Sequence, residues 1–541
     1  MSQKQAPNNR SLGNIAGIVA FATLISKVFG LFREILIAFV FGIGPVVNAY
    51  RYAYVLPGFL LILLGGINGP FHSALVSVLA KRDRKESAKI VETVTTLTSV
   101  VLLLVSISLV IFAKDYIDIA APGLDPVARK LAIEQLKIMS PLAVIAGLVG
   151  IGFGTLNAAN LYWLPSISPL FSSLITIIGL GIFTLILGKD VHSNHFLETG
   201  GIILAVTTLA GALLQWIVQI IAQWKNGLGT LRLRFNWRIP GVIDVLRVMI
   251  PATLSSGMLL INTSTDMFFA ASIDGAAAAM SYSNFLVLTP LGIISNMILV
   301  PLFPVFSRLS SREDWPKLKI KIREGLFLSA LTMLPLTAIF LSLALPIVQT
   351  IYQRGAFDRE ASNVVVPVLM AYGFGMFFYL ARDVLLRVFY ALGDGKIPAK
   401  ISVINILLNF GADFFLVIPF KTPGLILATV TVNIISMLAF ILILNRRLEG
   451  LPLKIWSILI LKLLAITVVS SLLAWEFDQF LRDHFVSHNQ FFHVFELIIG
   501  SLIVLISFFG LAWQLNLPEL KIIFQTIERK FFKKKNQNQS N

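Results

Sequence analysis

Apolar runs of about 20 residues, the length one helix needs to cross a bilayer, recur almost end to end in this chain, and that recurrence excludes a soluble fold. Of the 541 residues 56% are hydrophobic and 13% charged. No polar interval between runs exceeds the length of a long loop. The reading is an all-α polytopic membrane protein of about fourteen transmembrane helices, centred near residues 27, 63, 101, 144, 176, 212, 257, 293, 335, 376, 408, 434, 464 and 503.

The loops alternate in charge. Residues 81–89, 225–238, 307–323, 393–400, 445–454 and the tail at 528–535 are rich in Lys and Arg, whereas 188–200, 273–279 and 476–490 carry few. The positive-inside rule then predicts a multi-pass protein of the cytoplasmic (inner) membrane with both termini in the cytoplasm. The net charge of +16 sits mostly in these short loops. There it sets topology and meets anionic headgroups of membrane lipids, so no nucleic-acid partner is expected. The polar N-terminus lacks the layout of a cleaved signal peptide. A chain without cysteine has no disulfide framework, thiol nucleophile or thiolate metal site.

A weak internal repeat is visible. Residues 55–82 and 287–309 each carry proline within a span, Asn in its middle and a basic exit. The expected organisation is two pseudo-symmetric six-helix lobes around a central cavity. The N-lobe (helices 1–6) takes residues 1–238 and the C-lobe (helices 7–12) 239–448. Two additional transmembrane helices occupy 449–515, and 516–541 is a basic cytoplasmic tail.

Charges inside a membrane span cost at least a few kcal/mol on insertion scales, so they face a watery cavity or a partner. The first two spans hold Lys27, Arg33, Glu34 and Arg51, with Ser26, Asn48, Asn68 and His72 nearby. Ser26 and Arg33 are seven apart on one helical stripe, and Lys27 and Glu34 share the next. Glycines at 30, 42, 44, 65, 66 and 69 interrupt the same spans, as in helices that bend around a transport site. Guanidinium and ammonium groups suit a pyrophosphate-bearing substrate. The competing roles are a pair between Arg33 and Glu34, and snorkelling of Arg51 to an interface.

A second polar set comprises Asp266, Asn409, Asp413 and Thr429. Asn409 and Asp413 are four apart on one helix face. Oxygen ligands of these kinds hold a hard monovalent cation; protonation, or pairing with Arg382 or Arg387, is the alternative. The segment 382–400 ends in Gly-Asp-Gly-Lys-Ile-Pro. It lacks P-loop spacing, so a tight turn between helices is expected. The six histidines form no strong metal pattern, and no GxSxG or extramembrane catalytic carboxylate pair is present. A membrane glycosyltransferase would need an outer catalytic domain, which the short outer loops do not supply, and an envelope-assembly scaffold is a further alternative.

The stretches ISKVFGLFREILIAFVFGIG, NAY, LPGFL and FHSALVSVLAKR within 25–82, with FYALGDGKIPAKI (389–401) and GLILATVTVN (424–433), resemble the MurJ/MviN lipid II flippases. These belong to the multidrug/oligosaccharidyl-lipid/polysaccharide exporter superfamily. The resemblance implies two six-helix lobes and two C-terminal helices forming a groove for a lipid tail. It implies no enzyme but a flippase, moving the undecaprenyl-pyrophosphate-linked peptidoglycan precursor between leaflets by alternating access. Ser26 with Lys27 then matches a Ser-Arg pair of the cavity, Arg33 keeps a second Arg and Glu34 an adjacent acid. Asn48 and Asn68 stand where the family has acids, Leu61 where it has Arg, and Asn284 with Phe285 where it has an Asp-Arg pair; Arg51 and His72 are the compensating candidates. Asp266, Asn409, Asp413 and Thr429 match a sodium site, so Na+ or H+ is the expected coupling ion, with no other cofactor. Cell-wall synthesis proteins are the possible partners. The alternative function is a cation-coupled exporter of another polyprenyl-linked glycan or a small amphipathic molecule.

Overall fold

The computed structural model describes residues 12–65, 69–80, 82–484 and 490–520. Among them there is no strand, and a lone bridge pairs Arg354 with Phe357. The α-helices are α1 (Leu12–Phe41), α2 (Pro45–Gly65), α3 (Pro70–Leu79), α4 (Arg84–Ile111), α5 (Ala113–Ala120), α6 (Pro126–Met139), α7 (Leu142–Ala158), α8 (Trp163–Ile167) and α9 (Pro169–Leu187). They continue as α10 (Leu197–Lys225), α11 (Pro240–Ala270), α12 (Ala276–Arg308), α13 (Trp315–Ser342), α14 (Ala344–Ile351), α15 (Arg359–Ala391), α16 (Lys396–Arg447), α17 (Leu453–His484) and α18 (Gln490–Trp513).

Local chemistry sets the ends. Asp83 caps α4 by accepting from the Glu86 N–H, and Asp125 caps α6, with Pro126 at the first helical position. The α6–α7 pair bends by 44° next to Pro141, which has no N–H to continue the ladder.

All fourteen expected span centres fall inside helices. Among the described residues ten helices are long and apolar enough to cross a membrane, or eleven with the bent α6–α7 pair. The remaining centres lie in α1, in α11, and in the doubled element α16. That 52-residue helix breaks at Lys421, whose φ of 50° is left-handed. Its halves run back along each other, since Ser436 Oγ donates to Asn405 Oδ1 at 2.8 Å and Thr429 Oγ1 to Asn409 Oδ1 at 3.3 Å. Two passes are therefore closed by one residue.

The chain forms two compact units. The first comprises 1–278 with 354–358 and takes in α11, which packs on α2 and α3. Its core gathers Phe71, Leu75, Ile90, Ala146, Ile151 and Val242. Glycine is required at Gly150, where a Cβ would lie 2.0 Å from the Leu64 carbonyl oxygen of α2. The second unit comprises 279–353 with 359–541. In it α15 packs on α13 and α16, while α17 and α18 pack on α13 and α14 around Ala338, Ala474 and Val504.

Candidate functional site

The first cluster centres on Glu34, 2% exposed on α1. Arg33 donates to its Oε1 at 2.8 Å, and Arg51 of α2 donates to its Oε2 at 2.5 Å. One carboxylate is thus clamped by two guanidiniums, leaving a net positive charge within the span region. Both Arg33 and Arg51 are largely covered, with side chains 26% and 10% exposed. A buried charge needs such partners, because desolvation costs several kcal/mol per ion. The pairing of Arg33 with Glu34 therefore coexists with a spare positive charge. Arg51 does not snorkel: it stays in the cluster and stacks over the Tyr50 ring, 5.4 Å from its centroid.

Tyr50 and Tyr54, whose rings stack at 5.4 Å, complete this wall, and the Tyr50 hydroxyl hydrogen-bonds Thr208 Oγ1 of α10 at 3.1 Å. Neither tyrosine was expected from sequence. The signal was their i, i+4 spacing, which puts both rings on one face of α2.

The other first-unit candidates lie apart from the carboxylate clamp. Ser26 is half-buried and Lys27 exposed on α1; six residues of helix set Lys27 about 9 Å along the axis from Arg33. Asn48 is buried and serves the backbone: its Oδ1 accepts from the Ala278 N–H at 3.1 Å, and its Nδ2 donates to the Ile43 carbonyl at 3.4 Å. His72, half-buried on α3, meets the Phe153 ring of α7 edge-on at 5.8 Å. Asn68 lies outside the described residues.

The second cluster is inside the second unit. Asn409 Nδ2 donates to Asp413 Oδ2 at 2.9 Å, and Thr429 Oγ1 donates to Asn409 Oδ1 at 3.3 Å. Asn433 Nδ2 donates to the Thr429 carbonyl at 2.7 Å, and Arg382 of α15 donates to Asn433 Oδ1 at 2.6 Å. Asp413 is fully buried and Asn409 2% exposed. Arg382 also pairs with Asp383 at 3.5 Å, and Arg387 lies over the Phe303 ring at 5.7 Å. The structure brings together Asn409, Asp413 and Thr429; Asp266, half-buried on α11, belongs to the first unit. A carboxylate, an amide oxygen and a hydroxyl oxygen on facing half-helices form an all-oxygen set, the chemistry a hard cation takes.

The Gly-Asp-Gly-Lys segment is a turn. Gly393 takes φ 72°, and Asp394 Oδ1 accepts from the Lys396 and Ile397 N–H groups at 3.0 and 3.2 Å. Arg447 donates to Asp394 Oδ2 at 2.5 Å. Asp394 thus satisfies the first N–H groups of α16 and ties its two ends together.

The family model described as Lipid II flippase MurJ matches residues 37–496. The chain belongs to that family. A probable lipid II flippase MurJ of Synechocystis sp. is 57% identical over 524 residues, covering 97% of this chain and 98% of the relative. The lipid II flippase MurJ of Burkholderia cenocepacia is 28% identical over 410 residues, covering 73% and 75%. A solved lipid II flippase MurJ in an inward closed conformation is similar with a TM-score of 0.73 at 23% identity, over 90% of this chain and 97% of that one. An inward-facing multidrug resistance MATE transporter of the MOP superfamily gives 0.58 at 16%, over 80% and 98%. At these identities the two solved structures carry the fold alone. With the long apolar helices, family membership makes this a multi-pass membrane transporter. Asn48 and Leu61 lie on α2, and Asn284 and Phe285 are half-buried on α12.

Proposed function

We propose that the chain moves lipid II, the lipid-linked peptidoglycan precursor, from the inner to the outer leaflet of the cytoplasmic membrane by alternating access. The observation that carries this reading is the clamp of Arg33 and Arg51 on Glu34, a cationic group held inside a membrane transporter of the MurJ family. The protein makes no covalent bond. Its work is to lower the cost of carrying a pyrophosphate–sugar headgroup through the membrane interior. Arg33 and Arg51 hold the pyrophosphate, and Glu34 keeps both guanidiniums oriented while the cavity has no cargo. Lys27 and Ser26, two turns away on α1, meet the same headgroup farther along.

The second cluster supports coupling to Na+ or H+. Asp413, Asn409 and Thr429 would hold the ion. Differential binding of the ion to the two alternating-access states is what shifts the equilibrium between them. The distribution of Lys and Arg over the loops supports a topology with both termini in the cytoplasm.

The test is complementation of a bacterial strain depleted of its own lipid II flippase, with wild type and Arg33→Ala matched for expression. Rescue by wild type alone is the expected result. Normal rescue by the variant would remove Arg33 from the site. Failure of well-expressed wild type would favour export of another polyprenyl-linked glycan, a reading supported by the neutral residues at Asn48, Leu61, Asn284 and Phe285.

A further inference from the structure

The segment between α10 and α11 carries a pattern the transport reading does not use. From Thr230 to Arg238 it is irregular backbone in which apolar and basic side chains alternate: Leu231, Arg232, Leu233, Arg234, Phe235, then Trp237 and Arg238. Leu231, Leu233, Phe235 and Trp237 are all more than half exposed, at 58%, 77%, 61% and 57%. A segment with so many exposed large apolar groups marks a surface that meets a partner or a membrane. The segment leaves α10 at Lys225, so it lies where a spanning helix meets the headgroup layer. Trp224, 68% exposed, marks the same level.

This segment is held, not loose. Glu92 of α4, 5% exposed, accepts from the Thr230 N–H at 3.1 Å, from the Thr230 hydroxyl at 2.7 Å and from Arg234 Nε. The Arg234 N–H donates to Thr96 Oγ1 at 3.1 Å. Arg234 is thereby consumed as a strut, while Arg232 and Arg238 remain outward, Arg238 over the Trp237 ring at 5.5 Å. Between the strapped segment and the end of α10 runs a groove of about 460 Å³, lined by Ile220, Ile221, Trp224, Thr230, Leu231 and Arg232. One wall is apolar, and a guanidinium stands at its edge.

We infer that this groove is a binding site for an anionic phospholipid, with an acyl chain along Ile220, Ile221, Trp224 and Leu231 and the headgroup phosphate on Arg232. The charge is complementary, and Arg offers phosphate a bidentate fork that a zwitterionic lipid would partly satisfy with its own ammonium. Glu92 is the positioning residue, acting through Thr230 and Arg234 without touching lipid. The site stands independently of the transported cargo.

The full-length protein, purified in detergent, is titrated with dioleoyl phosphatidylglycerol or dioleoyl phosphatidylcholine, and retained lipid is counted by native mass spectrometry. Wild type is expected to retain the anionic lipid with about tenfold preference, and Arg232→Gln to abolish the preference while leaving phosphatidylcholine retention unchanged. Glu92→Gln is the sharper arm. It removes a negative charge, so general electrostatic attraction predicts tighter binding of phosphatidylglycerol, whereas a built site predicts weaker binding as the segment loses its anchor. If Glu92→Gln fails to fold, Arg232→Gln alone decides, since Arg232 is exposed and the segment is held through Thr230 and Arg234. Equal retention of the two lipids by wild type, unchanged selectivity in Arg232→Gln, or tighter binding by Glu92→Gln would overturn the proposal. Displacement by undecaprenyl phosphate with no preference for phosphatidylglycerol would also overturn it, assigning the groove to the cargo's tail.

Discussion

Arg51 reaches across from α2 to place its guanidinium 2.5 Å from Glu34 of α1, on the carboxylate oxygen that Arg33 leaves unoccupied. Each helix thereby brings a charge that the other makes tolerable. Glu34→Gln would leave two buried guanidiniums facing each other, so a loss on the order of 3–5 kcal/mol is expected. It is checked as a lower midpoint of thermal unfolding in detergent. The double variant Glu34→Gln with Arg51→Gln should recover part of that loss, because the second change removes the uncompensated charge; no recovery would mean the two side chains do not act as a pair.

For the cation set, Asp413→Asn keeps size and most hydrogen-bonding capacity but removes the charge. Wild type should gain thermal stability in NaCl over choline chloride, since a ligand that binds only the folded state stabilises it. The Asn variant should show the same midpoint in both salts. Equal response of wild type to Na+ and choline would take sodium out of the coupling scheme and leave protons to be tested.

Asp394 gives a prediction in pH. The Ile397 N–H, the Arg447 guanidinium and the Lys396 N–H hold its carboxyl below the usual carboxylate range. A lowered value in the folded state adds stability above the ordinary value and loses it as pH falls through the lowered one. Asp394→Asn should therefore be less stable than wild type at neutral pH. The gap between their unfolding midpoints should shrink as pH drops below about 4. A constant gap would mean that the ionised form is not what the turn uses.

Gly150→Ala tests the approach of α7 to α2. A methyl group there would press on the Leu64 carbonyl oxygen, a backbone atom that cannot swing aside. Overpacking of this kind costs about 1–3 kcal/mol. Gly181→Ala is the control, because its Cβ would meet nothing within 4 Å. Equal midpoints for the two variants would contradict the packing described.

The helices were legible because lipid permits few alternatives: a run of apolar residues long enough to span is a helix, and each expected centre lies in one. The pairing of Arg33 with Glu34 was legible from adjacency, and that of Asn409 with Asp413 from their spacing on one face. What spacing could not supply was distance between elements. Arg51 reads from sequence as a snorkelling residue as readily as a site residue, because only tertiary packing brings α2 against α1. The link from Arg382 to Asn433 spans 51 residues and has no local signature. Asn48 looked like a ligand by type, yet its partner is the Ala278 backbone, 230 residues away.

The single left-handed residue at Lys421 has a consequence for how α16 tolerates insertion and deletion. An ordinary loop absorbs an added or lost residue. Here no loop exists, so a one-residue change anywhere between Asp413 and Thr429 turns everything beyond it by about 100° around its helix axis. Thr429 would swing away from Asn409, Ser436 from Asn405 and Arg447 from Asp394 together. The length of this segment is thus as constrained as the identity of its polar residues.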